Sequence, residues 1–160
     1  MQTWYIVFIF NMKNLLLATA LLLNKGINGL RDQDEVTVLP GWNQTLPSKL
    51  YAGYIPCGSS SEAGVDYEMF EHYVFMESEN DPANDPLIVW TNGGPGAASY
   101  FGLFTEVGPL WLDGASLKTE DYNSTGVPTL FYNEHGWTKA ANILIINSPP
   151  PVGFSYCTPA

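Results

Sequence analysis

The residues best suited to chemistry lie in the run Leu87-Ile-Val-Trp-Thr-Asn-Gly-Gly-Pro-Gly96. An apolar strand ends on an amide side chain. Three glycines around one proline follow, and the turn opens onto a further apolar stretch, 97–107. Glycine reaches backbone angles closed to other residues, so successive N–H groups can point into one concavity and hold an anion or a developing oxyanion. Pro95 has no N–H to donate, but it fixes one dihedral and stiffens the loop. Alone, Gly-Gly-Pro-Gly is equally a plain turn from strand to helix. A second block downstream changes its meaning.

That block is Ala141-Asn-Ile-Leu-Ile-Ile-Asn-Ser-Pro-Pro-Pro-Val-Gly-Phe-Ser-Tyr156. Five segments in order, namely 77–86, Asn92-Gly-Gly-Pro-Gly96, Leu103-Phe-Thr-Glu-Val-Gly-Pro109, Trp137-Thr-Lys-Ala-Ala-Asn142 and Val152-Gly-Phe-Ser-Tyr156, closely resemble the serine carboxypeptidase family. Leu39-Pro-Gly-Trp42 and Leu46-Pro-Ser-Lys49 match that family's usual opening, so the likeness runs from about Leu39 to Tyr156. Its members are α/β-hydrolases that remove C-terminal residues from peptides. In that fold the oxyanion hole takes one N–H from the residue after the nucleophile and one from a loop after an early strand. The resemblance implies that the Gly94 N–H is an oxyanion donor. It implies that the Asn92 side chain and the Gly93 N–H grip the free α-carboxylate of the substrate, with Trp90 as a support. It also implies an acidic optimum and no cofactor.

The chain shows no nucleophile. The family's Gly-Glu-Ser-Tyr-Ala-Gly elbow does not occur in it, and Gly153-Phe-Ser-Tyr-Cys157 is only an imitation. Three prolines part Ser155 from the preceding strand, and neither a helix nor an acid and histidine follow it, as this fold's chain order requires. His72, inside a strand, and His135, in a turn, read as structural, as do Asp66, Asp85 and Asp113. Two departures from the family pattern stand out: Ala97 where cysteine is usual, and Pro150-Pro151 where Ala-Gly is usual. The first removes a disulfide that anchors the loop, and the second removes two N–H donors.

These residues need elements to position them. Leu87–Thr91 and Asn142–Asn147 are near-continuous apolar runs, as in strands covered on both faces. Residues 49–55 and 69–76 read as strands, 57–64 as a loop, and 98–106 as a helix stopped by Gly108-Pro109. Asp81-Pro82 and Asp85-Pro86 force a turn. The stretch 111–133 reads as a polar loop, and 31–35 as a fraying charged segment. The expected fold is α/β, with an antiparallel hairpin, then buried strands and a crossover helix: the N-terminal part of an α/β-hydrolase in an incomplete mixed sheet.

Composition narrows the function further. The chain has 160 residues and a net charge of −10, which repels phosphate backbones and argues against nucleic acid as a partner. Apolar runs at 4–10 and 15–23, the second between Met12-Lys13 and a polar stretch to Gly29, give residues 1–29 the form of a secretory signal peptide rather than an unbroken membrane anchor. Residues 30–160 are then the mature portion. Asn43-Gln-Thr45 and Asn123-Ser-Thr125 are N-glycosylation sequons, expected in loops. Cys57 and Cys157 could pair with each other or with partners elsewhere. The reading is a serine-type carboxypeptidase of the secretory pathway, extracellular or vacuolar/lysosomal, acting on peptide C-termini. This chain carries the recognition loop without the triad, is inactive alone, and has no stable membrane association once the signal is removed. The alternatives are an acyltransferase of the same site, a non-catalytic secreted binding protein, or an inactive fragment.

Overall fold

The computed structural model describes residues 6–10, 32–62 and 64–159. In the longest hairpin β3 (Leu50–Glu62) pairs antiparallel with β4 (Val65–Met76), half of whose residues are aromatic or β-branched. β5 (Leu87–Thr91) and β8 (Asn142–Asn147) are the two apolar runs, and they lie parallel to each other. The sheet order is β1-β5-β8-β4-β3-β2, with β1 spanning Ile6–Phe10 and β2 spanning Glu35–Val36. β9 (Tyr156–Pro159) pairs with β4 beyond the end of β8, so both strands share one edge of β4 and the 148–155 loop joins them. Leu50, Val74, Met76, Trp90, Leu103, Val107, Ile143 and Ile145 form the core against which this sheet is held. Each such buried side chain contributes about 1.5–3 kcal/mol over its exposed state.

The mixed α/β sheet agrees with the expected class, and several boundaries move. β3 continues through the predicted loop 57–64 as far as Glu62, with a bulge between Pro56 and Gly58. Residues 58–62 are all exposed, so no apolar face advertises a strand there; the backbone ladder to β4 keeps them extended. The predicted helix over 98–106 is a short α1 (Tyr100–Gly102) running into a π-helical turn, Leu103–Val107. The wider turn closes because the Gly108 N–H donates to the Leu103 carbonyl at 3.0 Å, where a Cβ would sit only 2.3 Å from that oxygen.

The polar stretch 111–133 is also more ordered than predicted. It contains α2 (Glu120–Thr125), capped by the Thr119 hydroxyl and ended by Gly126 at φ 72, and β7 (Phe131–Tyr132), which pairs with β6 (Leu110–Trp111). Capping, not an apolar stripe, defines this helix. Of the stretch 31–35, the described residues 32–35 do not simply fray: Asp32–Asp34 form a 3₁₀ turn, and Asp34 accepts a 2.9 Å bond from the Tyr73 hydroxyl.

Residues 6–10 were expected within the leader, and in the structure they form an edge strand against β5. The apolar run 15–23 and the expected cleavage near Gly29 lie outside the described residues.

Candidate carboxylate- and oxyanion-binding loop

β5 delivers Asn92 to the edge of the core, and the local bonds orient its amide. Asn92 Oδ1 accepts from the Trp90 indole N–H at 2.7 Å and from the Gly102 N–H at 3.3 Å. With the oxygen engaged, Asn92 Nδ2 donates to no protein group among the described residues. Trp90 is 3 % exposed and meets Trp137 edge-on at 5.6 Å, which gives the indole a fixed position. The amides of Gly93 and Gly94 donate to no protein group among the described residues. Gly94, Pro95 and Gly96 are exposed, and the clefts of about 570 and 510 Å³ are lined by other residues. The loop therefore presents, among the described residues, unspent donors beside an exposed turn. Glycine is required at position 94, where a Cβ would fall 2.8 Å from the amide nitrogens of both Gly96 and Ala97.

Three further residues hold the loop and were not singled out by the sequence. The Ser99 hydroxyl accepts from the Asn92 N–H at 3.1 Å and donates to the Ile146 carbonyl at 2.6 Å. The Ser99 N–H donates to Asn147 Oδ1 at 2.8 Å, so the ends of β5, α1 and β8 are tied together. Gly102 packs flush on the site: a Cβ there would meet Trp90 Nε1 at 2.4 Å and Asn92 Oδ1 at 2.8 Å. One signal was available, since both parallel strands run into an asparagine, Asn92 and Asn147. Asn147 is fully buried, and its Nδ2 has no hydrogen-bond partner of normal geometry.

The remaining candidates lie apart from the loop's donors. Ser155 is 3 % exposed; its hydroxyl donates to the Asn147 carbonyl at 2.5 Å and accepts from the His72 N–H at 2.7 Å. The His72 ring instead meets the Tyr100 hydroxyl through Nδ1 at 2.5 Å, and burial pushes its pKa below the ordinary value. His135 is exposed, and its N–H donates to Asn133 Oδ1. Asp85 accepts from Ser78, which with the Asp81 N–H lowers its pKa; Asp113 caps the turn at Ala115 and Ser116. Asp66 bonds Ser61 across the hairpin.

Asn43 lies in a loop as expected, whereas Asn123 sits on α2. Cys57 and Cys157 are free and exposed. Cys57 is the bulge residue of β3, whereas Cys157 pairs with Met69 from β9 on the other edge of β4; strands two apart lie about 9.6 Å from each other, too far for a disulfide without backbone movement. Among the described residues, no group of three or more His, Cys, Asp or Glu is placed to hold a metal, and no helix is long and apolar enough to cross a membrane.

A mixed sheet with a parallel pair at its centre, whose first member runs through a glycine turn into a helix, is that of an α/β-hydrolase. The sequence profile of the serine carboxypeptidase family matches residues 40–160, and the chain belongs to that family. It is 42% identical over 144 residues to serine carboxypeptidase-like 14 of Arabidopsis thaliana, covering 90% of this chain and 30% of that protein. It is 40% identical over 127 residues to the lysosomal protective protein of Mus musculus, covering 78% of this chain and 22% of that protein. Among solved structures, Kex1(delta)p, a prohormone-processing carboxypeptidase from Saccharomyces cerevisiae, superposes with a TM-score of 0.51 at 27% identity, covering 68% of this chain and 21% of that one. The chain thus spans no more than 30% of the length of these relatives.

Proposed function

We propose that this chain carries the substrate-end recognition of a serine-type carboxypeptidase. Asn92 Nδ2 and the Gly93 N–H bind the terminal carboxylate of a peptide, and the Gly94 N–H donates to the oxyanion formed at the scissile carbonyl. The observation that carries this reading is the pair of donors on Asn92 Oδ1, which leaves the amide's own donors unspent beside two unspent backbone amides. An internal peptide offers no carboxylate, so the same donors would lose water without gaining a partner. Loss of one oxyanion donor typically costs about 2.7–4 kcal/mol of transition-state stabilisation. In a longer protein containing the triad, a serine attacks the C-terminal peptide bond and water then cleaves the acyl-enzyme. The same loop serves an acyltransferase when an alcohol replaces that water. A protein carrying the triad would separate the two by releasing C-terminal amino acids from blocked dipeptides rather than passing acyl groups from activated esters.

The charged, apolar and polar regions of residues 12–29 and the two sequons support entry into the secretory pathway, as does kinship with a protein named for the lysosome. Recognition itself is testable on the 160-residue chain. Titration with a blocked amino acid, N-acetyl-phenylalanine, should shift the amide resonances of Gly93 and Gly94, whereas its carboxamide should not. Equal shifts from both compounds, or none from the acid, would refute the assignment.

A further inference from the structure

A cleft of about 570 Å³, sharing no lining residue with the 92–96 loop, opens between the 39–47 turn and the segment 129–132. Trp42, Asn43, Glu79, Asp121, Phe131 and Tyr132 are among the residues that line it. One wall is rigid for a clear reason. Leu39-Pro-Gly-Trp42 closes through the Trp42 N–H to the Leu39 carbonyl at 3.2 Å, with Gly41 at φ 82. The Gly41 carbonyl accepts from the Leu130 N–H at 2.8 Å, and a Cβ at Gly41 would strike the Pro128 carbonyl at 2.1 Å. The Trp42 indole N–H is committed to the Thr45 carbonyl at 3.1 Å, so the ring is held in place. Across the opening, α2 presents Asp121, whose Oδ2 accepts from Asn43 Nδ2 at 3.1 Å.

Asn43 is exposed at the rim and heads the sequon Asn43-Gln-Thr45. We propose that Asn43 carries an N-linked glycan whose first N-acetylhexosamine lies in this cleft. The proposal rests on the secretory reading above. In the transfer, Asn43 Nδ2 bonds to the anomeric carbon of a lipid-linked oligosaccharide. The bond from that carbon to the pyrophosphate oxygen breaks, and one amide proton leaves to the transferase's base. One N–H remains to hold Asp121. The cleft lies within the range of about 300–1,000 Å³ usual for small-ligand sites. It offers what a pyranose needs, aromatic surface at Trp42 and Tyr132 for its apolar face and the Asp121 carboxylate for its hydroxyls. Asn123 provides an internal contrast: it is exposed on α2 and its side chain makes no bond among the described residues, so a glycan there projects into water.

The test is expression of the chain in a eukaryotic secretory host, followed by timed peptide-N-glycosidase digestion of the native protein with site-by-site mass spectrometry. Both sites should be occupied, with release from Asn43 about tenfold slower than from Asn123, and the rates should converge after denaturation. Asp121→Ala should speed release at Asn43 and leave Asn123 unchanged. Native release at equal rates, or occupancy of Asn123 alone, overturns the seated glycan while the secretory reading stands. Both sites empty overturns the two together.

Discussion

At residue scale, the recognition loop depends on one amide whose two ends are treated differently. Asn92→Asp keeps an acceptor for the Trp90 indole and the Gly102 N–H, so the fold should persist with little change in thermal midpoint. Its second oxygen would then face the substrate carboxylate, and like charges in contact should weaken N-acetyl-phenylalanine binding by at least about tenfold in the same titration. His72 makes a separate prediction. Burial lowers its folded pKa below the ordinary value of about 6.5, so between the two values the unfolded chain binds more protons. The stability owed to neutral His72 is therefore complete above about pH 6.5 and is lost as pH falls through the lowered folded value. The urea midpoint should drop between pH 7.5 and pH 5, and His72→Gln should make that drop smaller; an unchanged drop would refute the role. Asn92 was legible from its place at the end of an apolar run, and Asn147 ends a second such run. Their tie through Ser99 was not legible, because the Ser99–Asn147 bond links residues 48 positions apart.

At the scale of elements, the family blocks outside the loop interlock two segments. Asn142, at the start of β8, accepts from the Ser78 N–H at 3.0 Å and donates to the carbonyls of Pro82 and Asp85. Glu79 is joined to the same region, accepting at 2.6 Å from the Thr138 hydroxyl while its N–H donates to the Thr138 carbonyl. The 77–86 turn is thereby pinned to the strand parallel to β5, which sets where the recognition loop begins. Asn142→Ala would strand three backbone groups, and each buried unsatisfied group costs about 1–3 kcal/mol. Denaturant unfolding should show a loss of about 2 kcal/mol or more; a neutral result would mean that the turn is held elsewhere. The strands of this region were readable because burial writes itself as apolar runs. The outer half of β3 and the helix α2 were not, since exposed ladders and polar caps leave no such pattern. The π turn after α1 was equally hidden, because it depends on a single glycine contact.

At the scale of the whole molecule, the chain pairs the donors proposed for recognition with a buried serine whose surroundings do not suit a nucleophile. A reactive serine needs a base within about 2.6–3.2 Å and room for the substrate. Ser155 has neither: its hydroxyl donates to a carbonyl and accepts from an amide, and the only imidazole nearby is turned to Tyr100. The 148–155 loop places it where β8 gives way to β9 along β4, so the hydroxyl replaces ladder bonds that neither strand can make there. A fluorophosphonate should therefore leave the purified 160-residue chain unmodified by intact mass, under conditions that label a serine hydrolase completely. Ser155→Ala should lower stability by about 1–3 kcal/mol through the orphaned His72 amide and leave carboxylate binding unchanged. An adduct at Ser155 would mean that this junction opens and that the serine has a base the folded sheet does not offer it.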